Sequence, residues 1–145
     1  MKKTIILSAV IMLGFFSISK AQSIDVTNAA LSLRNGELKD AKASIDKATT
    51  DADAILQPKT WVYCGNIYLA MFQDSGKTVP QLASYVDVAA NAFQKVPALD
   101  AKKKWEDDVT SGLNSCHYYL YTMAIDPYNR GHYDSAYFQF RKAYD

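Results

Sequence analysis

The chain has 145 residues, of which 49% are hydrophobic and 21% are charged, and its formal net charge at neutral pH is +1. A hydrophobic content near one half excludes an intrinsically disordered chain, which cannot bury enough apolar surface to fold. The near-neutral balance lacks the basic excess of proteins that bind nucleic acid, so no nucleic-acid partner is expected.

The amino-terminal residues have the three-part pattern of a secretory signal peptide. Met1-Lys2-Lys3 is basic, residues 4–16 are mostly apolar, and residues 17–21 are small or polar. This order predicts a signal peptide over 1–21, cleavage before Gln22, a mature domain over 22–145 and a periplasmic or secreted location. An uncleaved anchor is the alternative, although the apolar run is shorter than the ~20 residues of a spanning helix. After cleavage no stable membrane insertion is expected.

Helical periodicity runs through the rest of the chain, and no segment alternates polar and apolar residues as a half-buried strand would. Proline in a first turn and glycine after a last turn set several of the expected boundaries. The predicted helices cover 23–34, 37–54, from Pro58 to a loop at 73–78, from Pro80 to just before Pro97, from a cap at Asp100 to a break or kink at Asp126-Pro127, and 131–145 with its leading turn. The sequence therefore predicts an all-α fold of about three antiparallel helix pairs.

A spaced pattern of small and apolar residues occurs three times, at offsets of zero, two, five, nine and twelve. The last copy consists of Gly131, Tyr133, Ala136, Phe140 and Ala143. The same offsets give Gly36, Leu38, Ala41, Ile45 and Ala48. They also give Ser84, Val86, Ala89, Phe93 and Val96. Internal repetition of this kind is typical of helical arrays in which neighbouring units stack on one another.

These residues resemble the tetratricopeptide repeat (TPR). The first helix of that repeat carries W-x2-L-G-x2-Y, and its second helix carries spaced alanine and phenylalanine. The first pattern is matched, with cysteine in place of leucine, by Trp61, Cys64, Gly65 and Tyr68. The resemblance covers nearly all of the mature chain and implies an α-solenoid with an extended concave surface. With its Lys-Lys start and Ala-Gln cleavage site, the chain is similar to uncharacterised secreted TPR proteins of Bacteroidota.

The repeat length departs from that family. The three copies begin 48 and 47 residues apart, against about 34 in the usual repeat. The chain also stops at Tyr144-Asp145, in an amphipathic helix where Tyr137 and Phe138 give little of the polar outer face that terminal repeats carry. We therefore expect an incomplete array, either continued in a longer protein or covered by self-association through the C-terminal helix.

No constellation for catalysis, metal binding or cofactor binding can be assembled from the sequence. Gly76-Lys77-Thr78 looks like the end of a phosphate loop, but Met71 stands where that loop needs its first glycine. The two histidines, His117 and His132, fall short of the three or four converging ligands of a metal site. We therefore expect no enzymatic activity, no metal and no cofactor.

The two cysteines, Cys64 and Cys116, allow two interpretations. An oxidising compartment permits a disulfide, but only if the Cα atoms come within about 7 Å of each other. Both residues fall on predicted apolar helix faces, which favours two buried thiols.

Two predicted helices have a second face, distinct from their packing seam. In stacked pairs the first helix lines the concave side, and tyrosine is favoured at interfaces. The candidate partner-binding residues after Pro58 are Lys59, Val62, Tyr63, Asn66 and Ala70. Those after Asp100 are Tyr118, Tyr121, Thr122 and Ile125. The alternative is that these tyrosines complete the packing between neighbouring pairs.

These features together predict a non-enzymatic protein–protein interaction scaffold or adaptor of the cell envelope. Its partner would be a protein or peptide held in the concave groove. The alternative is an accessory protein or enzyme of envelope carbohydrate processing, with a site that is not visible in the sequence.

Overall fold

A computed structural model describes residues 23–74 and 83–144. Within these ranges the chain forms six α helices and one short 3₁₀ helix, and no strand. The α helices are α1 (Ile24–Asn35), α2 (Leu38–Ala48), α3 (Pro58–Asp74), α4 (Ala83–Leu99), α5 (Glu106–Asn129) and α6 (Tyr133–Tyr144), and the 3₁₀ helix is Ala54–Leu56. The all-α prediction is confirmed. The predicted signal peptide, the helix start at Pro80 and Gly76-Lys77-Thr78 lie outside the described residues.

Successive helices pack as antiparallel pairs. In the α3–α4 pair, Lys95 Nζ lies 3.6 Å from the centre of the Trp61 ring. Further along, the rings of Tyr68 and Tyr85 meet edge to face at 5.4 Å. Residue numbers therefore rise along α3 as they fall along α4. The contacts between α1 and α2, and between α5 and α6, follow the same order.

The pairs follow one another in chain order. Each helix packs against the next, and the first helices of adjacent pairs also touch, α1 with α3 and α3 with α5. One hydrophobic core runs through these contacts, from Val26 on α1 to Leu120 on α5. The pairs are therefore layers of one packed body.

Phe93 of α4 joins the second pair to the third. Its side chain is fully buried and lies between Gly65 of α3 and Gly112 of α5. A Cβ added at Gly65 would lie 2.4 Å from Phe93 Cζ, and one added at Gly112 would lie 2.3 Å from it. The ring thus fills space that two missing side chains leave open.

The prediction that the second helix continues to residue 54 is wrong, since α2 ends at Ala48. The side chain of Asp51 accepts hydrogen bonds from the backbone N–H groups of Asp53 (3.1 Å) and Ala54 (2.7 Å). Such local side-chain bonds compete with the helical ladder and turn the chain. Thr60 Oγ1, which is buried, then donates to the Ala54 carbonyl at 2.7 Å and fixes this turn onto α3.

The expected helix end before Pro97 is wrong, and α5 does not break at Pro127. Pro97 lies inside α4 and Pro127 lies inside α5, and each helix ends two residues later. Proline removes one N–H group and crowds the preceding turn. In the last turn of a helix few residues follow the proline, so little helical structure is lost. Each proline therefore lies just before the end of its helix and does not interrupt it.

Two further boundaries differ from the prediction. Helix α3 continues through Gln73 to Asp74, which were expected in a loop. Helix α5 begins at Glu106 rather than directly after Asp100. The Asp100 carboxylate instead accepts the backbone N–H of Trp105 at 2.7 Å, and Lys103 adopts a left-handed conformation with φ 54°. The chain therefore turns over residues 100–105 before the helix starts.

The three repeat copies are buried to different degrees. Every position after the first is fully or almost fully buried in the copy on α4, as are Ala41, Ile45 and Ala48 on α2. On α6 only Ala136 is buried, whereas Phe140 and Ala143 are half-buried and Tyr133 is 64% exposed. The spacing of the last copy is the same, but less of the described chain packs against it.

Candidate functional site

The candidate residues on α3 share one face of that helix. Lys59, Tyr63 and Asn66 stand four and then three positions apart, which places them on successive turns, and all three are half-buried. Lys59 Nζ lies 5.5 Å from the centre of the Tyr63 ring, within range of a cation–π contact. This face therefore offers one cation, one amide and one phenol side by side.

Val62 does not belong to that face, contrary to the prediction. It is fully buried, like Gly65 and Leu69, which lie three and seven positions further along the same side of α3. The apolar seam of α3 is therefore wider than the match to the repeat motif indicated.

The candidate residues on α5 separate into two directions. Tyr118, Thr122 and Ile125 follow the four-and-three spacing of one face. Tyr121 turns instead toward α6, where its ring lies 5.3 Å from that of Phe140. Tyr121 therefore contacts the second helix of its own pair, while its side chain stays 54% exposed.

A side-chain bridge ties the two candidate faces together. Gln73 Nε2, near the end of α3, donates to the hydroxyl of Tyr119 on α5 at 2.8 Å. The Tyr119 ring also packs against Tyr118 at 5.5 Å and against Phe72 at 4.9 Å. Tyr118, which is 62% exposed, is thus supported on one side and open on the other.

A polar cluster that the sequence did not reveal lies between α2 and α3. Tyr68 Oη donates to Asp46 Oδ1 at 2.6 Å, and the Lys42 ammonium pairs with the other oxygen of the same carboxylate. Lys42 and Asp46 stand four residues apart on α2, which is the spacing of an ion pair on one helix face. Asp46 and Tyr68 of this cluster line a pocket of about 320 Å³, together with Trp61, Cys64 and Lys95.

The groups of this cluster hold their protons strongly. Burial, followed by the charge of Asp46, raises the pKa of the Cys64 thiol to about 12. Burial and the hydrogen bond to Asp46 raise the pKa of Tyr68 to about 12. The hydrogen bond to Asp46 also raises the pKa of Lys42. Because the thiolate is the nucleophilic form of cysteine, the cluster is poorly suited to nucleophilic catalysis.

Cys116 has a similar environment. Burial raises its pKa to about 12. Cys64 and Cys116 are both free and buried, in agreement with the prediction of two buried thiols.

These raised pKa values predict a loss of stability at alkaline pH. Cys64 and Cys116 have folded pKa values of about 12 against 9.0 ordinarily, and Tyr68 has about 12 against 10.0. Above about pH 9 the unfolded chain therefore binds fewer protons than the folded chain, and raising the pH favours unfolding. The contribution of these three protonated groups to the free energy of unfolding is fully present below about pH 9 and is lost as the pH rises toward 12.

We expect the urea midpoint to fall between about pH 9 and pH 11, and to fall less steeply in Cys64→Ala and in Cys116→Ala. Each variant is compared with its own midpoint at neutral pH, which removes the cost of the smaller side chain. A pH dependence identical to that of the parent chain in both variants would contradict the assignment.

Within the described ranges, no group of three or more His, Cys, Asp or Glu residues is placed to hold a metal ion. None of the helices described is both long and apolar enough to cross a membrane. Comparison with protein-family models, with curated proteins and with solved structures gave no match.

Proposed function

We propose that the chain is a TPR-like helical-repeat module that binds a protein or peptide and catalyses no reaction. The packing of the helix pairs in chain order supports this, because stacked pairs give repeat proteins their extended binding surfaces. The proposed setting in the periplasm or outside the cell rests on the amino-terminal residues alone. Mass spectrometry of the mature protein tests this setting, and we expect the chain to begin at Gln22.

The observation that carries the proposal is the pairing of two partly open faces on neighbouring first helices. Lys59, Tyr63 and Asn66 on α3 and Tyr118 and Thr122 on α5 lie on helices that touch. Their ammonium, amide and hydroxyl groups suit the carbonyl and carboxylate oxygens of an extended peptide, while the tyrosine rings add apolar contact area. The hydroxyl of Thr122 already donates to the Tyr119 carbonyl at 2.9 Å, which leaves its methyl group and both lone pairs of its oxygen for a partner.

The test compares two tyrosines that are equally exposed on different surfaces. Tyr118 is 62% exposed on the proposed binding face, and Tyr133 is 64% exposed on the start of α6. Partners captured from envelope extract by the parent chain should be lost with Tyr118→Ala and with Lys59→Glu but kept with Tyr133→Ala. Because these changes remove exposed or half-buried side chains, the melting temperature should change little.

Loss of the partner with all three variants, or with none, would contradict the proposed face. Turnover of envelope glycans by the purified chain would contradict the absence of catalysis.

A further inference from the structure

Most of the exposed aromatic side chains of the described chain lie at its α5–α6 end. We use the name aromatic end face for the surface formed by Tyr121, Tyr128, Tyr133, Tyr137, Phe140 and Tyr144. The five tyrosines are between 54% and 91% exposed, and Phe140 is half-buried. Part of this surface is a cavity of about 510 Å³, bounded by Tyr121, Phe140 and Tyr144 among others. Contiguous apolar surface of this kind marks an interaction site.

The α6 part of this face is a single stripe. Tyr133, Tyr137, Phe140 and Tyr144 follow steps of four, three and four residues, which is the spacing of a seam between two packed helices. The side of α6 that carries Lys142 is fixed to its own molecule, since Lys142 Nζ donates to Asp87 of α4 at 2.6 Å. The stripe therefore points away from α4. It borders α5, because the Phe140 and Tyr133 rings contact Tyr121 and Tyr128.

The stripe is complementary to itself. Steps of four, three and four read the same in both directions, so a two-fold axis between Tyr137 and Phe140 places each of these against the other in a second copy. The same axis places Tyr133 against Tyr144. Symmetric dimers use one surface patch on both subunits in this way.

Charges beside the stripe agree with an antiparallel arrangement. Asp134 and Arg141 stand seven residues apart on one flank of the stripe. The two-fold axis brings Asp134 opposite residue 143 of the second copy, about 3 Å along the helix axis from Arg141 of that copy. An acid and a base then meet twice across the interface, whereas a parallel arrangement would oppose like charges.

The exposed area of the aromatic end face is close to the area that a stable dimer interface buries. A buried aromatic side chain covers about 150–250 Å², so five tyrosines at these exposures offer roughly 500–800 Å². A stable interface buries about 800 Å² on each partner. The tyrosines alone thus approach the area that a dimer needs.

We propose that a second copy of this chain covers the aromatic end face, with the two α6 helices packed antiparallel. This surface adjoins the binding face proposed on α3 and α5, since Tyr118 lines the same cavity as Tyr121, Phe140 and Tyr144. The two proposals are tested apart, because Tyr137→Ser changes only the stripe on α6 and Lys59→Glu changes only α3.

The first test is sedimentation velocity of the purified chain over micromolar to submillimolar concentrations. We expect a concentration-dependent dimer. Tyr137→Ser should raise its dissociation constant at least about tenfold, as expected for an aromatic side chain at the centre of an interface. The matched control is Phe138→Ser, because Phe138 is the next residue, is similarly exposed at 58% and lies on another side of α6. A monomer at every concentration, or equal effects of the two changes, overturns the proposal.

The second test addresses the antiparallel arrangement. Asp134→Arg and Arg141→Asp should each weaken the dimer several-fold, and the double exchange should restore it, because the opposed charges are then again opposite in sign. Circular dichroism of each variant shows whether α6 remains folded, since both changes also oppose the helix dipole. A double exchange that remains as weak as the single ones, with α6 folded, overturns the arrangement.

Cysteine cross-linking gives an independent reading of the same geometry. A mixture of Tyr133→Cys and Tyr144→Cys should form the mixed disulfide faster than either variant forms its own. Cys64 and Cys116 are buried and do not compete. Faster formation of the like pairs would indicate a parallel dimer and overturn the proposal.

Discussion

Phe93→Ala should reduce the free energy of unfolding by about 3–5 kcal/mol, the usual cost of removing a fully buried phenylalanine ring. The upper part of this range is expected because of what surrounds the ring. Phe93 is fully buried, and its ring lies against glycines on two different helices. Neither glycine has a side chain that could move into the cavity, so on these two sides the site can collapse only if α3 or α5 shifts as a whole.

The measurement is a urea titration followed by circular dichroism, with Phe138→Ala as the matched control. Phe138 is 58% exposed, so its removal should change the free energy of unfolding by less than about 0.5 kcal/mol. If the two variants unfold at the same urea midpoint, Phe93 does not occupy the position described.

Gly112→Ala is expected to destabilise the protein although alanine is the better helix former. The gain in helix propensity is about 1 kcal/mol, whereas extra atoms in a well-packed core cost about 1–3 kcal/mol and occasionally more. Here the cost should be at the upper end. The new Cβ would lie 2.3 Å from Phe93 Cζ, and the ring cannot retreat because Gly65 lies as close on its other side.

Two further variants test whether steric overlap with the Phe93 ring causes the loss of stability in Gly112→Ala. Thr110→Ala, at an exposed position of the same helix, should leave stability unchanged or raise it slightly. Phe93→Leu, which shortens the side chain, should lose less stability in combination with Gly112→Ala than the two single changes predict together. A double-mutant cycle measures this coupling. Strict additivity would show that the alanine methyl group does not meet the ring.

The class of the fold could be predicted from the sequence because it depends on local patterns. The helical periodicity and the first-turn Pro58 are visible in a linear reading, and α3 does begin at Pro58. The boundary errors come from bonds with no periodic signature. Asp51 turns the chain by accepting two backbone N–H groups, and Asp100 accepts one from Trp105.

The candidate site was harder to predict because it depends on which helix each face meets. Spacing placed Tyr118 and Tyr121 on one open face of α5, but the Tyr121 ring packs toward Phe140. Likewise, the Asp46 carboxylate accepts the Tyr68 hydroxyl of the next pair, a contact that spacing along α2 does not indicate. Both facts depend on the angle at which a neighbouring helix crosses, and residues close in sequence do not determine that angle.

The Phe93 ring is shared between two helix pairs, and this also determines which helices can separate from one another. In a repeat array the backbone amide hydrogens of each layer normally exchange with solvent at a rate set by the stability of that layer and by its contacts with its neighbours. If α5 separated from α4, the wall that Gly112 forms against Phe93 would be lost and the ring would meet water. Helices α3, α4 and α5 therefore form one cooperative unit. Local unfolding that leaves this unit folded is therefore limited to the helices beside it, which are α6 on one side and α1 and α2 on the other.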